Sequence, residues 1–306
     1  DAIRAAWAHG LWSVEVKQPQ LQVARDYTPL PTAALDGDGD GDGDGDGDVD
    51  GDGAVRLLIR RMARGEVSGY LAGLGVGDAV ELRGPRLGFD VCGRAGLGDG
   101  EDCPAAGARR VVFLAGGTGI ASALQAAEAL LFSGRAGGGV EMEVVWANRR
   151  REDCGERAAV VGMLEEMRAR SGGRFSYVCT VDEEGSSIDA RAITRATGDA
   201  APPGHTVVSD ACRYHSAKKL VVSDDRDDDD AAGAGKCCRC EDGHGKRVAG
   251  GKNLLMVSGP DGFIERFTGA KVWAGGKELQ GPVTGVIGEL GRKYPALAQD
   301  WLVLKM

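Results

Sequence analysis

Hydrophobic and polar positions follow two regimes along this chain of 306 residues. In the first third they alternate. Residues 12–23 (WSVEVKQPQLQV) alternate around Pro19, which predicts one or two half-buried strands with an edge or bulge at the proline. Residues 55–61 (VRLLIRR) predict another strand, Ser68 a cap for a short helix beside it, Gly77-Asp78 a turn, and residues 79–83 a strand ended by Gly84-Pro85. Together these make an all-β unit, a barrel with one short helix, followed by a glycine-rich connection at 93–107.

The second regime begins with residues 111–125, VVFLAGGTGIASALQ. Val111, Val112, Phe113 and Leu114 are a continuous apolar run, as in a strand covered on both faces. Gly116, Gly117 and Gly119 follow, then Ala123, Leu124, Ala127 and Leu131 at helical spacing. Such a strand, turn and helix let backbone approach a pyrophosphate at the positive end of the helix. Tight turns without a ligand also use glycine, and the absence of a following lysine excludes a P-loop.

Further strands are predicted at 141–147, 175–181, 253–257 and 301–304. Between them fall helices at 156–170, with Val160, Val161, Leu164 and Met167 inward, at 188–196 and around 283–292. Strands separated by helices imply a doubly wound parallel α/β sheet. The domain expectation is therefore 1–107 and 108–306.

Composition changes the picture in two places. The net charge of −9 argues against a nucleic-acid surface, but runs at 36–52 and 224–230 hold more aspartates than the whole negative excess. The remainder is mildly basic and suits phosphate-bearing cofactors. The Asp-Gly repeat at 36–53 reads as a disordered insertion, because it has nothing to bury. It is not an EF-hand, since the twelfth loop position never falls on a carboxylate. The acidic, glycine-rich stretch at 202–251 reads the same way. Its Cys237, Cys238, Cys240 and His244 lack a second ligand pair at zinc-site spacing, so no metal site is assigned. Eight scattered cysteines argue for reduced thiols over a disulfide framework. No apolar run reaches the length that spans a bilayer, and no signal peptide is present, though the chain starts at Asp1 without methionine.

A β unit carrying Arg-x-Tyr-Thr-Pro at 25–29, followed by an α/β unit carrying Gly-Gly-Thr-Gly-Ile-Ala, resembles the ferredoxin-NADP reductase superfamily and, within it, the cytochrome b5 reductase branch. More narrowly, KQPQLQVARDYTPLP at 17–31, WANRRRED at 146–153 and GPDGFIERFTGAKVWAGGKELQGPVTG at 259–285 are similar to the fungal cytochrome c mitochondrial import factors, which are mitochondrial FAD reductases. The resemblance implies an N-terminally incomplete β-barrel FAD domain and an NAD(P)-binding domain. By resemblance, Arg25 pairs with the FAD pyrophosphate, Tyr27 lies against the isoalloxazine, Thr28 approaches N5 and Pro29 completes the segment. Gly65, Val67 and Ser68 match the second FAD segment. Gly116, Gly117, Thr118, Gly119 and Ile120 match the nicotinamide pyrophosphate turn, and Gly259 and Pro260 the segment that admits nicotinamide to the flavin.

Two positions depart from the family pattern: Ser122 replaces a proline, and Ser258 stands where a cysteine helps to orient hydride transfer. Arg149, Arg150 and Arg151 precede Glu152 and Asp153, so both a 2′-phosphate and a 2′-hydroxyl reader are present and NADH and NADPH stay open. The resemblance implies hydride transfer from NAD(P)H to FAD, then single electrons to a haem or cytochrome acceptor. It further implies a role in cytochrome c maturation at the mitochondrial inner membrane, with membrane attachment through an upstream segment. The alternatives are a general cytochrome b5 or ferric reductase, or a non-catalytic assembly factor.

Overall fold

The computed structural model describes residues 2–31, 54–94, 109–134, 139–154, 159–198, 253–274, 277–294, 297 and 301–306. Both expected insertions, most of the 93–107 connection, and the cysteine cluster with His244 lie outside the described residues.

Helix α1, Ala2–His9, precedes a hairpin of β1, Trp12–Gln18, and β2, Val23–Tyr27. The alternation of β1 works as the pattern requires: Trp12, Val14 and Val16 are buried, while Ser13 and Glu15 are less so. Trp12 packs edge-on against Trp7 of α1 at 5.2 Å. Pro19 sits in the hairpin turn and not at a bulge. There the Gln18 side-chain Oε1 accepts the Leu21 N–H, and the Gln22 side-chain amide donates to the Pro19 backbone carbonyl.

Residues 55–61 do not form the expected strand. Only Leu57 pairs, in a single antiparallel bridge with Pro29, and the chain then leaves the sheet as Arg60 and Arg61 turn into a cleft. Helix α2, Glu66–Leu71, is capped by Gly65 without a side-chain bond. Ser68 is inside the helix, not at its cap.

Strand β3, Glu81–Leu87, runs on past Gly84-Pro85, which was expected to end it. The register skips between Ser13 and Glu15, so Gly84 and Pro85 together oppose Val14. On an edge strand such a bulge accommodates a residue without an N–H. Among the described residues, β2-β1-β3 is an open antiparallel sheet. Helix α3, Val91–Arg94, follows.

The second unit contains β4, Arg109–Gly116; α4, Ile120–Ala127; β5, Val140–Asn148; α5, Ala159–Arg170; β6, Phe175–Val181; and α6, Ala190–Thr197. It continues with β7, Asn253–Ser258; α7, Asp261–Thr268; the hairpin β8, Val272–Ala274, and β9, Lys277–Leu279; α8, Gly285–Lys293; and β10, Trp301–Lys305. Five strands form one parallel sheet in the order β10-β7-β4-β5-β6. Side chains alternate between two cores. Val111, Phe113, Ala115 and Trp146 face α4 and α5, whereas Val112, Leu114 and Val257 face α6, α7 and α8. This is the doubly wound architecture expected. In this unit, helix α7 and the β8/β9 hairpin are the elements that periodicity does not predict, as are α1 and α3 in the first.

Chain order reverses between β4 and β7, so the crevice beyond their carboxyl ends is the topological switch point of the sheet. The N-terminal unit is docked there through Gln125 of α4, which is fully buried. Its Oε1 accepts the Trp12 N–H at 3.0 Å, and its Nε2 donates to the Pro29 carbonyl at 3.0 Å. Leu11, Leu30, Val91 and Cys92 join the same core.

The β8/β9 hairpin is tied to the sheet by Lys305, which is almost wholly buried. Its ammonium donates to the Ala270 carbonyl at 3.1 Å and the Pro282 carbonyl at 2.9 Å. Burial, with a smaller contribution from Lys271, brings its pKa down to about 8 from 10.5. The unfolded chain therefore holds more protons between pH 8 and 10.5, and this group's contribution to stability rises with pH across that window and is lost as pH falls through 8. Denaturant titrations at pH 7.5 and 10 test this: Lys305→Met should remove part of the upward slope of the parent protein. An unchanged slope counts against it.

Among the described residues, no helix is long and apolar enough to cross a membrane, and no group of His, Cys, Asp or Glu is disposed to hold a metal ion.

Candidate functional site

A cleft of about 1210 Å³ opens at the switch point, lined by the end of β2, residues 58–68, the β4 turn and the end of β7. Arg25, Tyr27, Thr28, Gly65, Val67 and Ser68 line it from one unit. Gly116, Gly117, Thr118, Gly119, Ser258, Gly259 and Pro260 line it from the other. Residues from positions far apart in the chain thus share one surface. Two expected cofactor contacts do not line it. Ile120 is fully buried in the core, and Pro29 is buried with its carbonyl bound to Gln125. Both hold elements in place.

On β2, period two puts Arg25 and Tyr27 on one face and Asp26 on the other. Asp26 pairs with Arg86 at 3.3 Å, and Arg86 also pairs with Glu15. Its charge is thereby countered away from Arg25. Burial pushes the Tyr27 hydroxyl above its usual pKa, against the smaller opposing effect of Arg25, so Tyr27 is neutral at physiological pH. The Thr28 hydroxyl lies 3.3 Å from that of Ser122 on α4. Ser122 therefore bridges the two units. The Ser68 hydroxyl accepts the Met62 N–H at 3.1 Å and fastens the loop before α2.

The glycines of the β4 turn have distinct reasons. Gly117 takes φ 54°, a conformation that side-chain-bearing residues avoid. Its carbonyl accepts the Trp146 indole N–H at 2.8 Å, which fastens the turn to β5. At Gly119 a Cβ would stand 2.4 Å from the Ser258 carbonyl oxygen, and at Gly116 it would stand 2.9 Å from the Phe263 ring. The turn therefore lies flush against the end of β7, with its backbone open to the cleft. Ser258, buried and in register with Ala115, completes that wall.

The charge cluster after β5 is sorted by its partners. Arg150 pairs with Glu152 at 3.0 Å, and Arg151 is held by Glu184 and by the Glu183 carboxylate at its N–H. The Arg151 bond holds the Glu184 carboxyl below its usual pKa. Arg149 alone of the three lines the cleft, with Asp182 from the end of β6 opposite in charge. Asn148 also lines it. That side chain is buried, and its amide nitrogen has no partner among the described residues. Asp182, Asn148, Arg60 and Arg61 were not singled out from the sequence. The WAN triplet before the arginines was the one signal that pointed to Asn148.

An antiparallel β unit docked on a doubly wound sheet thus carries a basic, glycine-walled cleft at the switch point. No protein-family model matches the chain. Among curated proteins it is 39% identical over 83 residues to the cytochrome c mitochondrial import factor of Saccharomyces cerevisiae, covering 27% of this chain and 22% of that protein. It is 30% identical over 132 residues to NADH-cytochrome b5 reductase 1 of Pyricularia oryzae, covering 43% and 34%, and 34% identical over 122 residues to that of Bos taurus, covering 39% and 38%. The chain thus spans well under half the length of these relatives. Among solved structures, the CS-b5R domains of human Ncb5or are 12% identical with a TM-score of 0.45, over 83% of this chain and 54% of theirs.

Proposed function

We propose that the chain is a FAD-dependent NAD(P)H oxidoreductase of cytochrome b5 reductase type, with residues 1–107 as the FAD unit and 108–306 as the NAD(P) unit. One observation carries this reading: Arg25, Tyr27 and Thr28 share a single cleft with the Gly116–Gly119 turn, and the Thr28–Ser122 contact joins the two sides. Similarity to two NADH-cytochrome b5 reductases and the motif order along the chain support it.

The residues present fit the two cofactors. The cleft is walled by backbone at Gly117 and Gly119, supplied with guanidinium groups, and has a buried amide donor at Asn148 without a partner among the described residues. Bound FAD would supply the hydride-accepting and single-electron chemistry. Arg25 would counter a pyrophosphate, since its only side-chain bond among the described residues is to the neighbouring Ala24 carbonyl at 2.8 Å. Tyr27, neutral and half-buried, offers a flat apolar face. Thr28 offers a hydroxyl whose direction is set by Ser122. Phe263 and the end of β7 exclude water beside Gly116, where the nicotinamide would enter.

The finer reading is a haem-protein acceptor in mitochondrial cytochrome c maturation, supported by similarity to the yeast import factor. A general cytochrome b5 or ferric reductase shares all of this chemistry and differs only in acceptor. Comparison of reduction rates with cytochrome b5, ferric chelates and cytochrome c separates them.

The flavin test is direct. Purified protein should show flavin absorbance that bleaches anaerobically with NADH or NADPH, and its absence ends the enzyme reading. Arg25→Ala should weaken FAD binding about tenfold, the scale of one charge-assisted bond, with little change in unfolding midpoint because Arg25 is exposed. Retention of FAD at unchanged affinity would remove Arg25 from the site.

A further inference from the structure

Cys154 and Cys179 meet between two elements of the α/β unit. Cys154 ends the short turn that follows β5, is buried, and belongs to the core beneath α4 and α5. Cys179 lies on β6, in register with Trp146 of β5, and packs against the same core. Among the described residues β6 is an edge strand of the parallel sheet, and Cys179 is only half-buried there. The two thiols are in hydrogen-bond contact with each other. A guanidinium stands by them as well: Arg151 feels the charge of both sulfurs. It is fixed there by the Glu184 carboxylate and, at its backbone N–H, by Glu183. Cys92 shows the ordinary alternative. It is fully buried and its thiol donates to the Ala129 carbonyl at 3.4 Å, as a small core residue does.

We infer that Cys154 and Cys179 form a reversible disulfide, a redox-set latch between the turn after β5 and the edge strand β6. The reaction is exchange with a small-molecule disulfide of the glutathione type. The half-buried Cys179 sulfur, as thiolate, bonds to one sulfur of the oxidant. The other leaves as a thiol, taking up the proton that Cys179 gave up. Cys154 then attacks the Cys179 sulfur, the protein disulfide forms, and the second thiol departs with the Cys154 proton. Two electrons pass from the dithiol to the oxidant. Burial, with a smaller push from Cys154 and against the pull of Arg151, brings the Cys179 thiol up to about 12. The pair therefore rests reduced and exchanges slowly, which suits a latch answering a sustained change of redox poise and not a catalytic thiol. Without the bond, the turn is joined to the end of β6 by exposed contacts. These are the Glu183 N–H to the Arg149 carbonyl at 3.2 Å and the Arg151–Glu184 ion pair, which water weakens. Asn148 and Arg149 line the cleft from the turn and Asp182 from the end of β6, so the disulfide fixes one rim of it. The latch is independent of what the cleft binds.

The test uses the full native chain, equilibrated with mixtures of reduced and oxidised glutathione, blocked with N-ethylmaleimide, then denatured and digested with trypsin. Cleavage at arginine puts the two cysteines on separate peptides, 152–157 and 175–191. Mass spectrometry of the oxidised sample should find these peptides joined, and a reducing phosphine should part them. The oxidised protein should also melt about 5 °C above its reduced form, because the bond constrains the unfolded chain. Cys154→Ser and Cys179→Ser should each lose the rise, measured against the variant's own reduced form, whereas Cys92→Ser should keep it. Peptides that stay separate, or that join only after denaturation, overturn the inference. So does glutathione left on Cys179 that Cys154 does not displace. Joined peptides with no rise in midpoint mean a strained bond and not a latch. A rise that survives in Cys154→Ser belongs to other cysteines, and it too overturns the inference. The peptide map is read on the parent protein, so a serine variant that fails to fold leaves the decision intact.

Discussion

Gly119→Ala should abolish measurable pyridine-nucleotide binding and destabilise the protein by about 2–3 kcal/mol, the scale of overpacking at a site that cannot relax. The added Cβ would meet the Ser258 carbonyl oxygen at 2.4 Å, its carbon at 2.6 Å and the Gly259 nitrogen at 2.9 Å. All three are backbone atoms at the end of a strand buried along its whole length, so no side chain can swing aside. Either the turn lifts from β7 or β7 shifts against β4, and both movements close the wall on which a pyrophosphate would lie. Gly162→Ala is the control. Nothing stands within 4 Å of its Cβ position in α5, and the substitution should stabilise by up to about 1 kcal/mol through helix propensity. Urea unfolding and NAD⁺ calorimetry on both variants decide the matter. Retained binding in Gly119→Ala would mean that the turn is not the nucleotide wall.

Gln125→Leu should cost about 2–5 kcal/mol while nearly preserving side-chain volume. Gln125 is fully buried and serves the Trp12 N–H and the Pro29 carbonyl at once. Leucine leaves two buried backbone groups unpaired, each worth roughly 1–3 kcal/mol. Functional damage should follow the structural one. Pro29 is adjacent to Thr28, and β2 would lose its anchor on α4, so FAD should be lost at concentrations that saturate the parent. Gln125→Glu, which keeps the acceptor for Trp12, should fall between the two. A leucine variant with parental stability and flavin content would show that the units dock through apolar contacts alone.

Most of the α/β unit was legible because its central strands are covered on both faces and its edge strand keeps a regular apolar spacing. Residues 111–114, 175–181 and 253–257 are continuous or regularly spaced apolar segments, and each forms a strand close to its expected bounds. Gly172 and Gly173 end α5 with positive φ, as a helix terminus requires. The N-terminal unit was less legible. The apolar residues of 55–61 look like a strand, yet their neighbours are arginines drawn to the cleft, and one bridge at Leu57 is all that forms. A proline usually stops a strand, but here Gly84 and Pro85 together oppose Val14 alone and β3 continues. Lys305, Gln125 and Gln280 are polar residues in buried places, and their partners are 23 or more residues away in the chain. No local pattern contains that information.

The motifs around Arg25, Gly116 and Gly259 were evident as residues, since glycine and arginine carry their chemistry wherever they stand. The sequence by itself determined the two-part organisation, the parallel order of β, α and β segments, and the residue types at the strand ends. Only tertiary structure decided what those residues face. It placed Thr28 on Ser122, gave Gly119 its steric reason in Ser258, and withdrew Ile120 and Pro29 into the core. The physical reason is range. Burial periodicity and turn chemistry act over a few residues, whereas the cleft is made by contacts between segments roughly 90 or more residues apart, where only the packed fold sets distance.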